Sequence, residues 1–145
     1  MSRTIESAFS DQAERLLRGP VPLIAPDFII VEVTSAFYFT IRERTDRVAR
    51  ALDGLEFLPR WFSELVPAAA LRHRAMAYSM ELEHPAYDCY YLALAESRRT
   101  RLVTTDEHFL RTVKNVSHYA QSIVHLDDWR PWRKLLLTPP LAALA

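Results

Sequence analysis

His84-Pro85-Ala86-Tyr87-Asp88-Cys89-Tyr90-Tyr91-Leu92-Ala93-Leu94-Ala95-Glu96 is the most informative run in the chain. Pro85 restarts the chain, and the residues from it to Arg98 read as a helix rich in Tyr, Leu and Ala. Arg101 to Thr104 follow as a short strand, and Thr104 and Glu107 are spaced as a capping box for a helix to about Val113. Ser122 to Leu126 make a last strand. Toward the N-terminus, Ser63 to Glu83 read as a helix. Leu55 to Phe62 have the alternation of a short strand, held to an edge by Pro59. Thr45-Asp46 caps a helix ending at Gly54. Pro26 opens a helix running to about Arg44, with Asp27 near its positive end and Ile29, Val33, Ala36, Phe37 and Thr40 in one stripe. Val21 to Ala25 form a buried strand. Ser10-Asp11 caps a short helix with Ala13, Leu16 and Leu17 on its apolar face, stopped by Gly19-Pro20. Strands alternating with helices imply a doubly wound α/β fold with a parallel sheet.

The chain has 145 residues, one domain's worth, with half of them hydrophobic and 25% charged. Its 18 basic and 18 acidic residues cancel, which excludes a uniformly basic nucleic-acid coat. A single cysteine, Cys89, excludes a disulfide scaffold and a cysteine-based zinc site. Two glycines exclude a glycine-rich phosphate loop. No run has signal-peptide character or reaches the ~20 apolar residues of a membrane helix, so a cytoplasmic protein without membrane contact is expected. No histidine pair with helical metal spacing and no G-x-S-x-G context is present. From Trp129 onward the pattern lapses into an apolar tail broken by Pro131, Pro139 and Pro140. The expected division is a domain over 1–128 and a tail over 129–145.

Three carboxylates stand out. Glu32 lies in the otherwise apolar Phe28-Ile29-Ile30-Val31-Glu32-Val33, either on an outer stripe or facing a cation, a donor or a wet cleft. Asp88 sits in the first turn of its helix, where the dipole alone favours it. Asp106 follows the strand Leu102-Val103-Thr104 and suits a helix cap, yet ligand sites in open α/β sheets gather at the carboxyl ends of strands. If strand end, helix start and inner helix face converge, the clustered charges call for a hard divalent cation.

Ala25-Pro26-Asp27-Phe28-Ile29-Ile30-Val31-Glu32-Val33 resembles the first helix-borne acidic motif of PIN domains. The run from His84 to Glu96 is similar to the second, and Leu102-Val103-Thr104-Thr105-Asp106 to the third. Order and spacing resemble the VapC-like toxins of toxin–antitoxin pairs. The resemblance implies a three-layer α/β/α fold and an endoribonuclease using Mg²⁺ or Mn²⁺. It makes Glu32, Asp88 and Asp106 the catalytic carboxylates, holding the metal directly or through its waters, with Thr104 and Thr105 positioning water or capping. It also implies an RNA substrate, a VapB-type antitoxin and a homodimer. The alternative is a catalytically inactive PIN-fold binding module without a complete metal site.

The chain departs from the pattern at its start. PIN domains open with a central strand bearing an Asp. Here Thr4-Ile5-Glu6-Ser7-Ala8-Phe9 only echoes it, with Glu6 in the Asp position. Either the chain begins late or the member has decayed. The missing centre calls for a partner chain, a rearranged N-terminus or the C-terminal tail. Arg42, Arg44, Arg47 and Arg50, and separately Arg98, Arg99 and Arg101, are solvated helix ends or rims of an acidic cleft. His84 and His108 flank the acidic motifs and read as a turn and an exposed helix residue, with phosphate contact the alternative. Tyr87, Tyr90 and Tyr91 read as core or interface.

Overall fold

A computed structural model describes residues 11–130 and the backbone of residues 142–144. A helix over residues 11–18 (α1) leads into β1 (Leu23–Pro26), α2 (Ile29–Glu43) and α3 (Val48–Phe57). Then come β2 (Glu64–Val66), α4 (Ala68–Leu82), α5 (Ala86–Arg98), β3 (Arg101–Thr104), α6 (Glu107–Lys114), β4 (Ile123–His125) and β5 (Ala142–Leu144). The fold is α/β, mostly helical, around a parallel sheet of order β2-β1-β5-β3-β4.

The expected gap at the centre of the sheet is filled by the C-terminal tail. Leu23 and Ile24 of β1 pair with Ala142 and Ala143, while Arg101, Leu102 and Val103 of β3 pair with Ala142, Ala143 and Leu144. The strand nearest the end of the sequence thus sits between the two most buried strands. Met1 to Phe9, with Glu6, and the proline-broken stretch 131–141 lie outside the described residues.

The core follows from where the apolar residues fall. Leu23, Ile24 and Ala25 of β1 and Leu102 and Val103 of β3 are buried. α5 touches β1, β3 and β5 and buries five consecutive residues, Tyr91 to Ala95, as a helix enclosed on most sides must. α4 packs on it through Leu71, Ala75 and Leu82, and α6 adds Phe109 and Val113 one turn apart. Each of the Leu, Ile, Val and Phe side chains contributes about 1.5–3 kcal/mol on burial, the alanines less.

Several local expectations are corrected by non-local contacts. Leu55 to Phe62 is not a strand. α3 runs past Gly54 to Phe57, and Pro59 starts a 3₁₀ turn over Leu58–Trp61. The strand forms later, where the Ser63 N–H and Oγ both donate to Leu23 O at 2.8 and 2.9 Å. Pro26 closes β1 rather than opening α2, because Asp27 N–H still donates across to Val66 O at 2.8 Å. The helix expected over Ser63 to Glu83 is α4, which starts only at Ala68. Thr45-Asp46 forms a 3₁₀ turn in which Asp46 pairs with Arg44. Asp106, not Thr104, caps α6.

Candidate active site

The parallel strands set the geometry. β1 and β3 both end at the carboxyl edge, at Pro26 and Thr104, so α2 and α6 start there. α5 precedes β3 and runs back against it, which brings its first turn to the same edge. Glu32 in the first turn of α2, Asp88 in the first turn of α5 and Asp106 at the start of α6 therefore share one edge of the molecule.

Their immediate partners differ. The Tyr91 hydroxyl donates to Glu32 Oε2. Burial, that hydrogen bond and the charges of Glu32 and Asp88 together hold the Tyr91 phenol above its ordinary range. Glu32 accepts directly from that buried hydroxyl, while Asp88 acts on it through its charge alone. Glu32 is exposed on α2, as the outer-stripe alternative has it, and also accepts from that hydroxyl, so it is not an unpaired buried charge. Asp88 Oδ2 lies 2.8 Å from His84 Nε2, and an ionised carboxylate makes that nitrogen the donor. The His84 ring lies 4.6 Å from Phe109 and 5.7 Å from His108, so it links α5 to α6.

Asp106 Oδ1 accepts from Phe109 N–H at 2.9 Å, and Asp106 N–H donates to buried Thr104 Oγ1 at 3.0 Å. Thr104 therefore fixes the strand end, while Thr105 is exposed at the edge. Among the described residues no three His, Cys, Asp or Glu side chains gather into one metal-binding group. Glu32 and Asp88, carboxylates in two helix first turns at the same edge, are the donor type that Mg²⁺ or Mn²⁺ takes. Small hard cations keep several waters and are bound through one or two carboxylates together with substrate phosphates. The residues present fit such an ion on those terms.

The PIN domain family model matches residues 5–115. The chain belongs to the PIN domain family. The match covers the stretch from before α1 to the end of α6, which includes Glu32, Asp88 and Asp106, while β4 and β5 fall outside. A PIN domain is a nuclease-type fold, and PIN nucleases act on RNA, commonly with divalent metals. No curated relative and no solved structure matches the chain.

In this PIN domain the central strand β5 reads Ala142-Ala143-Leu144 and brings no carboxylate to the sheet. Arg98, Arg99 and Arg101 lie at the amino edge, where α5 ends and β3 begins, and so do not rim the acidic edge. A cavity of about 540 Å³ opens there, lined by Glu96, Arg99, Thr100, Arg101, Gln121 and Ser122. Sequence reasoning took His84 as a turn residue and Tyr91 as core, and missed that each holds a carboxylate. The four-residue step from His84 to Asp88 was the available signal. No helix of the described chain is long and apolar enough to cross a membrane.

Proposed function

We propose that this PIN domain is a cytoplasmic, Mg²⁺- or Mn²⁺-dependent endoribonuclease, the toxin of a VapBC-type pair. The observation that supports the reading is that Glu32, held by the Tyr91 hydroxyl, and Asp88, whose charge reaches that hydroxyl, both stand in helix first turns at the carboxyl edge of the sheet. These two residues would hold the ion, with Asp106 adding negative charge from the adjoining helix start. A divalent ion held by these residues would supply a polarised water and positive charge against the phosphate. The chain's own groups do the rest. Tyr91 fixes Glu32, Thr104 fixes the backbone of Asp106, and exposed Thr105 stands at the edge to hydrogen-bond water. A VapB-type antitoxin and a homodimer belong to the same reading. The uncovered side chains Val31, Tyr38 and Phe39 of α2 and Leu52 of α3 support a protein partner at that helical hairpin.

A second reading, a binding module without cleavage, is favoured by one observation: the central strand supplies no acidic residue. Incubation of the purified chain with total tRNA and Mn²⁺ separates the two. The nuclease reading expects cleavage that falls at least about 100-fold in Asp88→Asn, comparable to the loss of a strong transition-state contact. RNA retained on the protein but never cut, in both forms, supports the binding module instead.

A further inference from the structure

His84 sits at the turn between α4 and α5, with its backbone held twice by one residue. Its N–H donates to Ser79 O at 3.1 Å, and Ser79 Oγ donates to its carbonyl at 2.5 Å. The preceding Glu83 takes the left-handed conformation, φ 50°, which swings the chain into this clamp. The imidazole is 6% exposed and packs against Phe109, a buried residue of α6. From that fixed position Nε2 reaches Asp88 Oδ2 at 2.8 Å.

A carboxylate in the first turn of a helix needs no such partner, since the dipole and water already favour it. The hydrogen bond instead fixes which way the Asp88 carboxylate faces and occupies one of its two oxygens. The ring carries that constraint to α6, the helix that Asp106 caps. Its orientation is set before any ligand arrives, because clamp and stacking depend on neither carboxylate.

We infer that His84 is a positioning residue of the acidic site, holding Asp88 by its Nε2–H in the orientation that receives a divalent cation. The inference rests on the nuclease reading above. Groups that orient a metal-binding side chain from behind typically change metal affinity 10–100-fold when removed. His84→Gln keeps a donor and gives up the ring. His84→Phe keeps a ring against Phe109 and gives up the donor. A packing role and a positioning role therefore rank these two variants in opposite orders.

The test is Mn²⁺ binding to the full chain, read from the free-ion electron paramagnetic resonance signal without RNA, alongside the thermal midpoint of each variant. Positioning expects His84→Phe to bind at least about 10-fold more weakly than the native chain, with a near-native midpoint. It expects His84→Gln to bind within about threefold of native even where its midpoint falls. Native-like binding in His84→Phe overturns the inference, as does affinity that follows the midpoint across both variants. Asp88→Asn separates this failure from failure of the nuclease reading. If Asp88→Asn weakens binding while His84→Phe does not, only the role of His84 falls. If the native chain and Asp88→Asn bind Mn²⁺ equally, the metal site itself falls.

Discussion

Tyr91 shows how one atom can carry an argument. The residue is 2% exposed and its ring belongs to the core, with Phe28 edge-on at 5.4 Å, so Tyr91→Phe removes the hydroxyl and little else. A hydrogen bond to a charged group is worth about 1.5–3 kcal/mol. The variant is expected to lose stability at the lower end of that range, because Glu32 regains water, and to lose Mn²⁺ affinity as Glu32 loosens. Urea unfolding and a metal titration check the two effects. Cys89 gives a second expectation. Burial first, then the Asp88 charge, pushes its thiol from 9.0 up to about 11. As pH rises, the unfolded chain loses this proton before the folded one does. The thiol's contribution is fully retained below pH 9 and is lost as pH rises from 9 through 11. Tyr119 and Tyr91, held above their ordinary value of 10.0, shift stability in the same direction. Urea midpoints that stay flat from pH 8 to 11 contradict this. The oddity of Glu32 was legible because a carboxylate in an apolar run needs either water or a donor. Its partner was not, because Tyr91 lies 59 residues away.

At the scale of elements, two helix starts among the described residues are capped by carboxylates, one local and one remote. Asp106 caps its own helix through Phe109 N–H. Asp27 caps α4 from 41 residues away, accepting from Ala68 N–H at 3.0 Å where Pro67 offers no side-chain acceptor. Replacing such a cap with alanine costs about 1 kcal/mol, whereas asparagine caps nearly as well. Asp106→Ala is therefore expected to lower stability by that amount. Asp106→Asn is expected to hold stability while weakening Mn²⁺-dependent cleavage through its lost charge. Thermal melts and tRNA cleavage on the pair distinguish cap from charge. The same contrast explains which elements could be read in advance. α5, β3 and β4 follow local periodicity, and the structure keeps them close to the expected bounds. The start of α4 is set by Asp27 and the position of β2 by Ser63 on Leu23, contacts that no local pattern contains. Gly54 was read as a helix stop, yet it lies inside α3. A Cβ there would stand 3.1 Å from the Phe37 ring, so the glycine serves the close approach of α2 and α3.

For the whole molecule, the decisive feature is that the last strand in sequence lies in the middle of the sheet. β5 is only three residues long, yet it pairs on both sides, with β1 and with β3. Sequence could say that a centre was missing and name the tail among the candidates. It could not choose, because Ala142-Ala143-Leu144 carries no strand pattern and strand order is a long-range property. Removing residues 131–145 strips the ladder from the inner sides of β1 and β3. Each buried backbone group left unpaired costs about 1–3 kcal/mol, so a handful exceeds much of the 5–15 kcal/mol that holds a typical domain folded. The truncated chain is therefore expected to unfold at room temperature or to associate through its two open strands. A synthetic peptide of residues 131–145 is expected to restore the melting transition when added back. Circular dichroism melts and light scattering report both outcomes. A truncated chain that stays monomeric and melts within a few degrees of the full one would show that the fold does not depend on β5.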